Sequence, residues 1–247
     1  MQALLDPFIE RFSFHKSKSP VKQLYASFPW DGGWADMGWR IWKIGSADGR
    51  IPSLNVMMGA PSLATIFTVP PSSPGAGPDA SLAYHLGFDF DRDAQAIYAT
   101  GQGFTRSAWQ DIGARSPDLT AFRKRGGKLI VPHGVSDPVF SVNDTIDWWK
   151  QVDRGNRGKA ANFVRVFPVP GMGHCQGGPA TDRYDSFGAL VRWVEQGQAP
   201  DRLTAAAGPM TPWKGRARPL CPYPLVAVPK PGATDTEKAE NFVCVKR

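Results

Sequence analysis

The 247-residue chain is 42% hydrophobic and 21% charged, a composition typical of a globular protein that buries a sizeable core. No stretch approaches the roughly eighteen consecutive apolar residues of a membrane-spanning helix, so we predict no membrane partner. A net charge of +7 would permit nucleic-acid binding, but the basic residues form only loose groups and no nucleic-acid motif is present, which excludes that class of partner.

The N-terminal part of the chain is rich in tryptophan. Residues 1–25 combine a helix-like apolar start with a basic, serine-rich connector, and residues 1–7 lack the basic start and long apolar run of a signal peptide. Four of the nine tryptophans then fall between Trp30 and Trp42. Such a cluster either forms an aromatic wall against a flat ligand or packs as the core of its own segment. Both interpretations stay open at this point.

A stretch rich in proline, glycine and serine, residues 70–78, is the clearest linker in the chain, and we predict an exposed loop there. In the following segment Asp89, Asp91 and Asp93 alternate as they might in a calcium-binding loop. The glycine and the distal glutamate of an EF-hand are absent, so we predict no metal site.

Helices and strands are predicted to alternate in the second half of the chain. Ser116 and Pro117 should start a helix over 118–125, as an N-cap followed by a proline in the first turn. The elements after it are a strand over 128–133, a helix over 141–152, a strand over 162–167 and a helix over 186–196. This order predicts an α/β fold with a mostly parallel sheet and flanking helices. From Gly208 the chain is proline-rich, and we expect an extended tail that packs over the core.

An acid and a histidine follow the two predicted strands, as Asp137 and His174. Because the carboxyl ends of parallel strands meet at one edge of a sheet, the two side chains should lie close together. In such a pair the imidazole exchanges a proton with a nucleophile and the carboxylate holds the ring in one tautomer. Either residue alone is more often a turn residue or a structural loop residue, but their matched positions favour a functional pair.

The strings around this pair resemble the motifs of a known enzyme family. Residues 126–138 (GGKLIVPHGVSDP) and 170–178 (PGMGHCQGG) are similar to the acid and histidine motifs of the tannase and feruloyl esterase family, in the α/β-hydrolase superfamily. The resemblance implies a serine esterase in which Asp137 is the triad acid and His174 the triad base. It also implies that the substrate is a small aromatic carboxylic ester.

The serine that the resemblance implies has no counterpart in the chain. Family members carry a Gly-Cys-Ser-x-Gly-Gly segment, whereas no Gly-x-Ser-x-Gly string occurs here. Two strings come near it. The one at Ser136 lacks the closing glycine and directly precedes the acid, and the one at Ser186 lacks the opening glycine. We therefore expect a C-terminal fragment of such an enzyme, inactive by itself, whose partner would be a missing N-terminal half.

Three cysteines are present, an odd number. Cys221 and Cys244 bracket the proline-rich tail, where a disulfide would act as a staple, and the resemblance implies a disulfide at similar spacing. For Cys175 the resemblance implies a disulfide to the residue before the missing serine, so that its partner is absent from this chain. The alternative is three reduced, mostly buried thiols. A disulfide places the protein in an oxidising compartment, either periplasmic or secreted.

The resemblance also divides the chain into three parts. Residues 1–86 are expected to be the C-terminal part of a lid inserted in the core, residues 87–207 the C-terminal part of the α/β-hydrolase core, and residues 208–247 the tail. Since the family's lid covers the aromatic group of the substrate, Trp39 and Trp42 are candidate substrate contacts. No cofactor is expected in this chain, although relatives bind calcium in the lid. The alternative function is a non-catalytic remnant that binds aromatic ligands or a partner chain.

Overall fold

The computed structural model describes residues 26–101 and 103–246, so the predicted helix-like start at residues 1–25 lies outside the described residues. The chain forms two compact units. The first contains residues 26–27 and 40–116, and the second contains residues 28–39 and 117–246. Across these residues, no helix combines the length and the apolar character needed to cross a membrane.

Short helices make up the first unit. They are the end of α1 (Met37–Ile44), α2 (Leu54–Thr65), α3 (Pro78–Gly87), α4 (Phe90–Asp93) and α5 (Ala108–Ile112). α2 packs against α3, and they are joined by residues 66–77. Residues 70–77 of this connection form the exposed loop that the sequence predicts. Ala60 and Ala64, one turn apart on α2, are fully buried. The predicted border between lid and core, at residue 86, falls inside this unit, and the assignment of lid and core stays a prediction.

The second unit contains the predicted series of strands and helices. Its elements are α6 (Thr120–Lys124), β1 (Leu129–Gly134), α7 (Val142–Gly155), β2 (Val164–Val169) and α8 (Ser186–Gln196). β1 and β2 pair in parallel, from Leu129 opposite Val164 to Gly134 opposite Val169. β2 begins later than predicted because a 3₁₀ turn occupies Ala160–Asn162. Since α7 connects two parallel strands, the carboxyl ends of both strands lie at the same edge of the sheet.

β2 is largely buried on both faces, which explains why all of its residues except Arg165 are apolar. Phe167 and Val169 belong to a core cluster that includes a residue of α8. Val164 and Val166 point the other way and belong to a second cluster, with Trp149 of α7. The two helices therefore cover opposite faces of the parallel pair, as the predicted fold class requires.

The start of α6 differs from the prediction. Leu119 is the N-cap and Thr120 the first helical residue. The Asp118 carboxylate accepts the N–H of Thr120 at 2.9 Å, which satisfies a donor that the helix leaves open at its first turn. Ser116 and Pro117 consequently lie in the connection before the helix. Ser116 and Pro117 are residue types that commonly start helices. The helix nevertheless begins at Thr120, where the Asp118 carboxylate accepts a backbone N–H.

The proline-rich tail contains more regular structure than predicted. β3 (Leu203–Ala206) precedes it, and it contains β4 (Ala217–Leu220), β5 (Leu225–Pro229) and β6 (Phe242–Lys246). β3 pairs with β4 and β5 with β6, both antiparallel. Because each sheet has two strands, every strand is an edge strand, where Pro219 and Pro229 are tolerated. Leu220 joins the same cluster as Phe167, so the tail packs on the core through strands rather than as irregular chain.

A disulfide joins Cys221, directly after β4, to Cys244 in β6, with Cα atoms 5.6 Å apart. This pairing agrees with the prediction. Cys175 is exposed and carries a free thiol. The disulfide cross-links the two antiparallel sheets of the second unit.

Replacing Cys221 and Cys244 together by serine should lower the free energy of unfolding by about 3 kcal/mol, because the disulfide restricts the unfolded chain over a sequence separation of 23 residues. Urea denaturation at 25 °C measures the change. Cys175→Ser is the matched control, and its effect should stay within about 0.5 kcal/mol since the side chain is exposed. An equal loss in both variants would contradict a stabilising role for the disulfide.

Candidate active site

Two loops that follow the parallel strands lie against each other. We call residues 135–140 the acid loop and residues 170–178 the histidine loop. The N–H of Ser136 donates to the carbonyl oxygen of Met172 at 3.1 Å. At the end of β1, a methyl group on Gly134 would overlap two carbonyl oxygens of the histidine loop. Only glycine fits this position, and the two loops therefore touch at the level of the backbone.

Asp137 is held in the acid loop with both carboxylate oxygens engaged. Its Oδ2 lies 2.9 Å from Nδ1 of His174, and its Oδ1 accepts the N–H groups of Val139 at 2.7 Å and Phe140 at 3.0 Å. The residue is only 5% exposed. Hydrogen bonds of this kind offset the cost of burying a carboxylate. The structure thus brings together the acid and the histidine that the sequence singles out.

His174 projects from the histidine loop with 28% of its side chain exposed. Because the Asp137 carboxylate only accepts, the neutral ring carries its proton on Nδ1, and Nε2 is the nitrogen that can accept another proton. Gly171 and Gly178 have φ values of +76° and +80°, which glycine adopts without strain, so the loop can fold back tightly. The ring of Phe140 lies 5.6 Å from the imidazole, centroid to centroid.

A second histidine also lies near the acid, and the sequence analysis missed it. Nε2 of His133 is 3.7 Å from Oδ2 of Asp137 and 3.1 Å from the carbonyl oxygen of Phe140, and its Nδ1 is 2.8 Å from the hydroxyl of Thr145. Since a carbonyl only accepts, Nε2 carries the proton and Nδ1 accepts from Thr145. Both nitrogens are engaged, so His133 braces the acid loop against α7. The available signal was a histidine near the end of β1, four residues before the acid.

A carboxylate far away in the sequence reaches both loops, and it too was missed. Asp31 is the N-cap of a 3₁₀ turn, Gly32–Ala35. Its Oδ1 accepts the N–H of Gly33 at 2.9 Å, the N–H of Gly171 at 3.0 Å and the hydroxyl of Ser136. Ser136 is 1% exposed, and its hydroxyl donates to a carboxylate, so this serine is unsuited to act as a nucleophile.

The tryptophan cluster is partly internal. Trp39 is 8% exposed and stacks on Trp34 with ring centroids 5.0 Å apart, and Trp30 meets Trp34 edge-on at 5.1 Å. This packing favours the interpretation that Trp34 and Trp39 belong to the core of their own segment, whereas Trp30 is 69% exposed and lies at the surface. Trp42, which lies further along α1 in the first unit, is half-buried. Contacts of Trp39 and Trp42 with a substrate stay a prediction.

The three alternating aspartates act locally. Oδ1 of Asp89 accepts the N–H groups of Asp91 at 2.9 Å and Arg92 at 3.0 Å, which caps α4. Asp93 pairs with the guanidinium of Arg92 at 2.6 Å, and this hydrogen bond holds the pKa of the Asp93 carboxyl below its usual range. Among residues 26–101 and 103–246, no group of three or more histidines, cysteines or carboxylates is placed to hold a metal ion.

Known proteins share the sequence around this site. The profile of the family described as "Tannase and feruloyl esterase" matches residues 85–245. Mono(2-hydroxyethyl) terephthalate hydrolase of Piscinibacter sakaiensis is 42% identical over 235 residues, which cover 90% of this chain and 38% of that protein. A probable feruloyl esterase of Arthroderma benhamiae is 36% identical over 142 residues, which cover 54% of this chain and 26% of that protein.

A solved structure shares the fold. An esterase from Aspergillus oryzae matches with a TM-score of 0.54 and 24% identity, over 70% of this chain and 35% of that one. The chain thus spans well under half the length of these relatives. The family profile nevertheless matches more than half of the chain, including the acid and histidine loops. The chain therefore belongs to the tannase and feruloyl esterase family.

Proposed function

We propose that the chain is the C-terminal part of a serine carboxylic ester hydrolase that acts on aromatic esters such as feruloyl or galloyl esters. The observation that carries the proposal is the buried Asp137 carboxylate, 2.9 Å from Nδ1 of His174, at the carboxyl ends of two parallel strands. The named relatives support it, since they are a terephthalate ester hydrolase and a probable feruloyl esterase.

In this proposal His174 moves the protons and Asp137 orients it. Nε2 of His174 takes the proton of a serine hydroxyl as the serine oxygen attacks the ester carbonyl carbon, and gives it to the departing alcohol. Water then attacks the acyl-serine with His174 again as base, which releases the aromatic acid and restores the hydroxyl. Asp137 holds the Nδ1 proton and stabilises the imidazolium that forms in each step.

The serine would come from a part of the protein outside these 247 residues. Ser136 is excluded by its burial and by its bond to Asp31. In the same proposal the exposed Cys175, next to His174, pairs with a cysteine beside that serine. The disulfide in the tail favours an oxidising compartment, so the protein would act in the periplasm or outside the cell.

The purified 247-residue chain should not hydrolyse methyl ferulate, because triad members act as a unit and the nucleophile is missing. A longer protein, expressed from a reading frame that continues upstream and encodes a Gly-Cys-Ser-x-Gly-Gly segment, should release ferulate. Release of ferulate is followed by chromatography. Hydrolysis by the 247-residue chain, abolished by His174→Ala, would show that the nucleophile lies within it. A frame without such a segment, together with ferulate binding in calorimetry, would support a non-catalytic binding protein instead.

A further inference from the structure

The bond between Asp137 and His174 joins two separate loops, so it depends on how these loops are held together. The acid loop follows β1 and the histidine loop follows β2, and each leaves its strand through a glycine-containing turn. A hydrogen bond weakens when its donor–acceptor distance lengthens by more than a few tenths of an ångström. A group that fixes the distance between the loops therefore controls the geometry of the pair.

Asp31 is placed to fix that distance. A single oxygen, Oδ1, accepts the hydroxyl of Ser136, which directly precedes the acid, and the N–H of Gly171, which lies three residues before the histidine. Bonds to an ionised carboxylate are stronger than bonds between neutral groups. Asp31 is 105 residues from Ser136 and 140 residues from Gly171 in the sequence, so it ties both loops to a third segment of the second unit.

Gly33 brings this third segment close enough to make the link. A methyl group at Gly33 would overlap the side chain of Ser136 and the carbonyl oxygen of Gly171. A methyl group at the adjacent Gly32 would meet nothing within 4 Å. The turn over Gly32–Ala35 thus packs on both loops at one position, and this position requires glycine for steric reasons alone.

We propose that Asp31 is a positioning residue for the Asp137–His174 pair, with Gly33 providing the close approach that it needs. Asp31 acts on the pair through Ser136 and Gly171, with which it forms hydrogen bonds. The proposal deepens the esterase function proposed above, and its kinetic consequence rests on that function. Its structural consequence, the state of the bond between the acid and the histidine, does not.

The structural consequence is measured in the 247-residue chain by NMR. The Nδ1 proton of His174 should give a downfield signal in slow exchange with water, because it is donated to a carboxylate. Asp31→Ala should broaden this signal beyond detection, whereas Asp31→Asn should retain it, since the asparagine oxygen can accept the same hydrogen bonds. Asp36→Ala is the matched control in the same segment. Within residues 26–101 and 103–246, the one hydrogen bond that the Asp36 carboxylate accepts comes from the nearby N–H of Gly38, at 2.7 Å.

Two further variants keep the test decisive if Asp31→Ala fails to fold. Ser136→Ala removes one donor from the acid loop and should broaden the His174 signal. Gly33→Ala should do the same, and Gly32→Ala should not. A His174 signal that is unchanged in folded Asp31→Ala, or in both Ser136→Ala and Gly33→Ala, overturns the proposal, whatever the activity of the protein.

The kinetic consequence is measured in the longer, active protein. Asp31→Ala should lower kcat for methyl ferulate by about 10- to 100-fold with KM changed less than about twofold, since misplacing a catalytic group by about 1 Å can cost 10²-fold. Asp31→Asn should restore most of kcat. A loss that appears in KM alone, or that the asparagine does not rescue, contradicts a positioning role. If the longer protein is inactive, the proposed function fails while the NMR result still decides the role of Asp31.

Discussion

Replacing His174 by alanine in the longer, active protein should lower kcat for methyl ferulate by about 10⁴- to 10⁶-fold. In the neutral tautomer the Nε2 atom of His174 can take the proton from the nucleophile. Among the residues that the structure describes, no other histidine donates to the Asp137 carboxylate at hydrogen-bonding distance. The remaining rate would come from substrate binding and from the donors that stabilise the oxyanion. Initial rates at saturating substrate measure the change.

His133→Ala is the control that separates the two histidines beside the acid. The imidazole of His133 lies 3.7 Å from the Asp137 carboxylate, and its two nitrogens form hydrogen bonds with Thr145 and with the carbonyl oxygen of Phe140. Its loss should loosen the acid loop and lower kcat by no more than about 100-fold. If His133→Ala were as damaging as His174→Ala, the assignment of the base to His174 would be wrong. Circular dichroism should show both variants folded.

Replacing Phe167 by alanine should lower the free energy of unfolding by about 3–5 kcal/mol. Phe167 is fully buried in the cluster that joins β2 to α8 and to the tail through Leu220. Removing the ring loses its transfer free energy and leaves a cavity that several elements would have to close together. Since a domain of this size is typically stable by about 5–15 kcal/mol, the loss is a large fraction of the total.

Guanidinium denaturation at 25 °C measures this loss. Phe187→Ala removes the same ring from a position that is 77% exposed on α8, and its effect should stay within about 0.5 kcal/mol. A loss below about 1 kcal/mol for Phe167→Ala would mean that the cluster collapses around the vacated volume. Because Met172 of the histidine loop belongs to the same cluster, Phe167→Ala should also weaken the His174 signal described above.

The contact between Asp137 and His174 was predictable because the signals for it are local. β2 is apolar except for Arg165, and α7 and α8 have clear starts at Ser141 and Asp185. Each candidate residue lies in the loop that follows its strand. Parallel strands joined by a helix can meet at only one edge, so the topology itself brings the two side chains together.

Other parts of the site and the fold were not predictable, for physical reasons. The contact of Asp31 with Ser136 and Gly171 joins residues more than a hundred positions apart, and a tryptophan–aspartate–glycine turn carries no local sign of its partners. The strands of the tail were not predicted because they contain Pro219 and Pro229, and proline is uncommon in strands. Two-stranded sheets tolerate proline because each strand has an open side.

The outer edge of β2 determines where the parallel sheet can accept a further strand. The carbonyl oxygens of Val164 and Val166, which face away from β1, already accept the indole N–H of Trp149 and the backbone N–H of Tyr223. That side is closed to another strand by groups from α7 and from the tail. If the chain is part of the longer enzyme proposed above, a strand that extends the parallel sheet would dock beside β1. Fragment complementation should then succeed with polypeptides that add there and fail with those designed to extend β2.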